Sequence, residues 1–169
     1  MAKYITEVLK EINDNPDLLK TTYKKQGDGG PLGLLFLHAF TARGKFLLPE
    51  GVPPFKADSA PMGMSPARFI TEIRKFYIFC RQDLPNLKRE TMFVQLCEGV
   101  HPEEAKILIA IKDQKLTSLY PNITRALVAE AGYIPPLTKE EQVQEDQQVK
   151  KSGRPRGRPR KSESPQQVQ

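Results

Sequence analysis

The sequence predicts a mainly α-helical protein: a multi-helix domain with one long Pro/Gly-rich loop, followed by a disordered basic tail. Three observations carry this prediction. Apolar residues recur at three- and four-residue spacing in several segments, as on helices with one buried face. Pro16, Ser65-Pro66 and Pro102 stand where helices start, since proline at the first helical position costs no hydrogen bond. After Leu137 the composition changes: residues 138–169 hold no aromatic residue, and their only aliphatic hydrophobes are Val143, Val149 and Val168. No core can be built from that. The organisation expected is a helical globular domain over residues 1–137 and a polar tail over 138–169.

Taken in order, Ile5, Val8, Leu9 and Ile12 mark a first amphipathic helix. Asn15 caps a short second one opened by Pro16, with Leu18 and Leu19 turned to the core. The stretch Gln26 to Pro31 breaks the chain before a buried helix over Leu32 to Phe40. Residues 42–64 contain four prolines and three glycines, too many for a regular element, and form the long loop. Gly44 and Lys45 suit a hairpin turn there, and Phe46, Leu47, Leu48, Val52 and Phe55 suit packing against the domain. Ser65-Pro66 starts the clearest helix, with Phe69, Ile73, Phe76, Tyr77 and Cys80 as its apolar stripe. Asn86 caps the next, through Phe93, Leu96 and Cys97 to Gly99. Pro102 opens another that ends near Asp113, with Ile107, Leu108 and Ile111 inside. Asn122 or Thr124 begins a last helix closed by Gly132.

The net charge of +6 is unevenly placed. Residues 150–161, KKSGRPRGRPRK, carry seven positive charges and no negative one, which leaves 19 Lys plus Arg against 20 Asp plus Glu elsewhere. Attraction for a polyanion therefore resides in twelve residues. The two cysteines, Cys80 and Cys97, lie in helical apolar segments, a usage that fits a reducing compartment better than a disulfide scaffold. No apolar run is long enough to cross a bilayer, so no membrane is expected as a partner. The acidic, amphipathic amino terminus is unlike a signal peptide, and secretion by that route is not expected.

Pro155-Arg156-Gly157-Arg158-Pro159, flanked by Arg160 and Lys161, resembles the core of the AT-hook family of minor-groove-binding peptides. The physical reasons can be followed residue by residue. A·T tracts have a narrow minor groove with enhanced negative potential. Gly157 brings the backbone to the groove floor without a clashing side chain. Pro155 and Pro159 hold the flanking chain extended and lower the entropy lost on binding. Arg156 and Arg158 run along the floor in opposite directions and donate to thymine and adenine acceptors, whereas the exocyclic amino group of a G·C pair obstructs the peptide. A second copy at Gly153 is poorer, because Lys151-Ser152 stands where the family has Pro-Arg. Lys150, Lys151 and Arg154 then serve as phosphate contacts; if about five to seven of the tail's cations neutralise phosphates, the logarithmic salt slope is roughly −4 to −6. The bland alternative is a solvated basic run or an RNA contact, which needs neither the prolines nor the glycine.

Other constellations point to structure more than chemistry. His38, Cys80, Cys97 and His101 lack zinc-site spacing: no CxxC pair occurs, and a proline-rich loop separates His38 from Cys80. Gly27, Gly29, Gly30 and Gly33 precede a helix but lack the Lys-Ser or Lys-Thr of a nucleotide loop. Glu103 and Glu104 suit a helix amino terminus. Asp28 and Glu50 fall in loops without an evident partner. Arg68, Arg74, Lys75 and Arg81 form a polar stripe that offers secondary phosphate contacts. No nucleophile and base pair, and no cofactor or metal, is expected; an enzyme is not.

Across Met1 to Leu137, the stretches YITEVLKEINDNPDLLKTTYKKQGDGGPLG, LPEGVPPFK, KFYIFCRQDL, HPEEAKILIAIKDQ and LYPNITRALV resemble a small uncharacterised family of proteins from contractile-tailed phages of marine cyanobacteria. The resemblance implies expression in an infected bacterium, in the host cytoplasm or the virion, and no assigned activity. The function expected is a non-enzymatic DNA-binding accessory protein, its tail on A·T-rich duplex and its helical domain on a protein partner or a second copy. The alternative is an interaction adaptor or virion component with an incidental tail.

Overall fold

The spacing of Ile5, Leu9 and Ile12 places all three on one side of α1 (Ile5–Asp14), and all three are buried in the computed structural model, which describes residues 3–24 and 29–139. At its start the backbone N–H of Tyr4 donates to the Glu7 carboxylate at 3.0 Å, satisfying one of the donors that every helix leaves open. Asn15 caps the short 3₁₀ turn Pro16–Leu19, accepting from Asp17 N at 3.3 Å, and Leu19 closes against the core.

Helix α2 (Gly30–Phe40) follows, then α3 (Phe69–Glu72), α4 (Asn86–Gly99), α5 (Pro102–Lys112), α6 (Leu116–Leu119) and α7 (Arg125–Glu130). No strand occurs among the described residues. The chain divides after Pro136, and the fold described is that of the first unit. Helix α5 lies at its centre, packed by α1, α2, α4 and α6. It is buried on nearly every side, with Ala105, Ile107, Leu108, Ala110 and Ile111 all enclosed.

A second centre is aromatic. Phe46, Phe69, Phe76, Phe79 and Phe93 are enclosed together, with His38 against Phe46 and Phe76. Phe69 and Phe76 meet edge to face at 5.4 Å, as do Phe46 and Phe76 at 5.6 Å and Phe79 and Phe93 at 5.5 Å. Full burial of each ring contributes about 1.5–3 kcal/mol, and such geometries add to it.

Several local expectations are corrected. The helix expected from Ser65-Pro66 begins only at Phe69. Ala67 N donates to Gly99 O at 2.8 Å and Phe69 N to the Glu104 carboxylate at 3.2 Å, so tertiary bonds hold Arg68 extended where the local signal favours a helix. From Ile73 to Cys80 the chain then tightens into a 3₁₀ helix. Three residues per turn put Ile73, Phe76 and Phe79 on the buried face and leave Tyr77 outside at 57% exposure, off the predicted stripe. Gly44 and Lys45 make no hairpin; Ala42–Gly44 is a 3₁₀ turn pressed on the end of α2. A Cβ at Gly44 would lie 2.3 Å from the Leu37 carbonyl oxygen, so only glycine allows that approach. Asn86 is the first residue of α4, not its cap. In the long loop Phe46 is buried and Leu48 and Phe55 are half-buried against the core, whereas Leu47 and Val52 are exposed. Helix α6 carried no recognised start signal; it follows Gln114, whose φ is +53°.

One buried cation ties the loops to the helices. Arg89 on α4 is 3% exposed and forms no ion pair among the described residues. Its Nη1 donates to Leu47 O at 2.7 Å and Asn86 Oδ1 at 3.0 Å, and its Nη2 to Arg81 O at 2.7 Å and Leu84 O at 2.8 Å. All four terminal N–H groups are thereby used, a fork that lysine, with three donors on one nitrogen, cannot reproduce. Arg89→Lys is expected to lower the unfolding free energy by about 2–4 kcal/mol, because carbonyls buried with the guanidinium lose their donor. Urea unfolding followed by circular dichroism measures this, and a loss under about 0.5 kcal/mol, the range of an ordinary surface change, contradicts it.

Candidate functional site

The residues expected to meet DNA, Lys150, Lys151, Arg154, Pro155, Arg156, Gly157, Arg158, Pro159, Arg160 and Lys161, lie outside the described residues. Gly27 and Asp28 of the glycine cluster do too. The first unit nevertheless places the other candidates in definite surroundings.

His38 and Cys80, far apart in sequence, are neighbours. His38 Nδ1 lies 2.9 Å from Gly44 O and 3.7 Å from Cys80 Sγ, and the thiol is 3.4 Å from the same carbonyl. The loop between them therefore brings them together, contrary to the separation inferred from sequence. A carbonyl only accepts, so Nδ1 carries its proton toward Gly44 and has no lone pair for the thiol proton. Burial lowers the His38 pKa and raises that of Cys80, so both stay neutral. The pair anchors the 3₁₀ turn at Gly44 without forming a nucleophile and base. Cys97 lies elsewhere in the core, with burial pushing its thiol up to about 12. His101 caps α5 by accepting from Glu103 N at 3.2 Å. Among the described residues no group of three or more His, Cys, Asp or Glu is placed to hold a metal ion.

Glu103 pairs with Lys106 at 2.9 Å on the surface. Glu104 turns inward and caps α3 through Phe69 N. Burial raises its pKa, opposed by that backbone bond. The stability it contributes is therefore complete below its ordinary value of 4.5 and is lost as pH rises through the raised folded value.

The polar stripe is largely engaged. Lys75 pairs with Glu72 at 2.9 Å, Arg81 with Asp83 at 2.5 Å, and the Arg68 guanidinium lies 5.6 Å from the Tyr4 ring centre. Arg74 alone of the four has neither kind of partner among the described residues. Exposed pairs of this kind are worth little individually, but Glu72 and Asp83 each cancel a charge that a phosphate would need, whereas the Tyr4 ring leaves the Arg68 charge in place.

Sequence reading did not find the groove between the extended segment 48–54 and α4. It encloses about 460 Å³. Its outer wall is pinned from α5: Lys112, 3% exposed, donates to Pro49 O at 2.7 Å and to Asp113, and Gly51 N donates to Asp113 Oδ2 at 3.3 Å. Gly51 has a φ of +97°, a conformation that a Cβ would strain. The inner wall is one face of α4, with Leu87, Glu90, Thr91, Val94 and Gln95 at helical spacing. The available signal was faint: Val52 reads as one of several loop residues suited to packing, and Leu87 as a lone apolar residue in a polar stretch. A second cavity of about 460 Å³ lies beside α1, lined by Ile5, Val8, Tyr23, Leu32 and Ile70.

The fold and these surroundings meet one comparison. The family model described as a family of unknown function, DUF6433, matches residues 9–118, and the chain belongs to that family. No curated protein and no solved structure matches it. Among the described residues no helix is long and apolar enough to cross a membrane.

Two measurements check these environments. Glu104→Gln keeps the acceptor for Phe69 N without a charge. Its Tm is expected to exceed that of the unaltered protein above neutral pH and to match it near pH 4. A variant less stable at high pH than at low pH, relative to the parent, contradicts the sign. With Ellman's reagent, Cys97 is expected to react only at the rate of unfolding, with Cys80 reacting first; fast modification of both thiols in the native protein contradicts their burial.

Proposed function

We propose that this protein is a non-enzymatic DNA-binding accessory protein whose tail lies in the minor groove of A·T-rich duplex while its helical domain binds a protein partner. The supporting observation is the location of charge: seven cations and no anion in residues 150–161, against a near balance elsewhere. Cations set at alternate positions between prolines and glycines suit a narrow groove, whereas a general polyanion contact needs only charge. Pairing of Lys75 and Arg81 with carboxylates supports assigning the contact to the tail rather than to the helical unit. Tethering raises the effective concentration of the domain near DNA even where the tail alone binds weakly. In the phage setting that the resemblance implies, the DNA is that of the phage or its host.

A titration of the full chain and of the Arg156→Ala, Arg158→Ala double variant on A·T-rich and G·C-rich duplexes tests this. The expected result is a loss of about tenfold or more confined to the A·T-rich duplex. Equal loss on both duplexes reduces the tail to a charge contact, and no loss on either removes it from DNA binding. The apolar groove favours a second reading, an interaction adaptor or virion component with an incidental tail. That reading predicts that protein partners are retained by the double variant after nuclease treatment.

A further inference from the structure

The groove between residues 48–54 and α4 has walls whose chemistry is lopsided. Val52 on one side is 75% exposed and Leu87 on the other 77%. Single exposed hydrophobes are ordinary on protein surfaces, but these two line one cleft floored by Leu48, Phe93 and Val94. Its volume of about 460 Å³ suits a few side chains.

The charges along it are equally one-sided. Glu50 and Glu90 line the groove, and no ion pair engages either among the described residues. Lys112, its one lining cation, is already spent on the Pro49 carbonyl and Asp113. The cleft therefore presents apolar lips beside two carboxylates that no ion pair engages among the described residues, which favours an occupant with cations placed to meet them.

We infer that this groove docks a linear segment of a partner protein in which an apolar side chain is flanked by lysine or arginine. The apolar side chain fills the space between Val52 and Leu87, and the flanking cations meet Glu50 and Glu90. Two further observations narrow the occupant. Pro49, Pro53 and Pro54 leave the outer wall short of N–H donors, and the α4 backbone is bonded within its own helix, so recognition by strand addition is disfavoured and side chains must carry the contact. A symmetric dimer through this face would set Glu50 and Glu90 against their own copies, which like charge opposes. The inference rests on the helical domain's having a protein partner and is independent of DNA binding by the tail.

The probe is a library of random linear peptides displayed on particles and selected against the intact protein, with the best sequence then synthesised and titrated by fluorescence anisotropy. The selected sequences are expected to carry Leu, Ile, Val or Met beside Lys or Arg. Leu87→Asp and Val52→Asp, both at exposed positions, are each expected to weaken the synthetic peptide about tenfold or more. Glu50→Lys with Glu90→Lys is expected to weaken it chiefly at low salt. The Arg156→Ala, Arg158→Ala variant is expected to bind it as the parent does, so failure here and failure of the DNA reading are told apart. Unchanged circular dichroism and Tm confirm that the groove variants are folded. Acidic selected sequences, no selection at all, or equal binding by parent and groove variants overturns the inference. A dimer in sedimentation velocity that Leu87→Asp dissociates overturns it in favour of a second copy.

Discussion

The guanidinium of Arg89 organises more of this fold than any apolar side chain does. A cation removed from water is tolerated only where several oxygens replace its hydration, and here they come from three backbone carbonyls and one side-chain amide. Those oxygens belong to the loop leading from the core, the end of the 3₁₀ helix, the turn before α4 and α4 itself. One side chain thus fixes the relative placement of four stretches that no sheet connects. Phe46 enters the aromatic cluster one residue before the bonded Leu47, and the groove wall starts one residue after it, so both the core and the cleft depend on the same polar knot.

The same solution recurs at the other loop junctions. A helical fold must supply partners for backbone groups in its irregular segments, and leaving them unmet in the interior is costly. Around the end of α2, Thr41 donates to Leu37 O at 2.5 Å, Gln114 to Thr41 O at 2.7 Å, and Arg125 to Phe40 O. Lys112 does likewise for Pro49. Apart from Thr41, each donor comes from a long side chain based on or beside a helix, which lets the 41–64 excursion stay irregular yet positioned.

The features legible in the sequence were those decided locally. Ile5, Leu9 and Ile12 declare α1 by spacing, Asn15 with Pro16 declares its turn, and Thr124 with Gly132 bounds α7, where Leu127 N bonds the Thr124 hydroxyl at 3.2 Å. What escaped was decided by partners distant along the chain. Ser65-Pro66 is a good helix start that loses to bonds from Gly99 and Glu104. Tyr77 satisfies an α-helical stripe that the tighter 3₁₀ winding rotates away. His38 and Cys80 meet because Gly44 permits a close crossing that no local pattern announces. The groove was invisible for a related reason: Val52 looks like one of several packing residues of the loop and Leu87 like an isolated apolar one until Lys112 and Asp113 draw their walls together. The tail motif, by contrast, lies outside the described residues, and its reading rests on twelve consecutive residues of sequence alone.

The 3₁₀ segment has a mechanical implication. Its eight residues, Ile73–Cys80, advance about 16 Å where an α-helix would advance about 12 Å. The extra reach delivers Arg81 to the guanidinium of Arg89 while holding Ile73, Phe76 and Phe79 in register with the core. Rewinding to α geometry would shorten the strut by about 4 Å and turn Phe79 away from the face it shares with Ile73 and Phe76. The segment therefore behaves as a spacer of set length, intolerant of an inserted or deleted residue although much of its surface faces solvent.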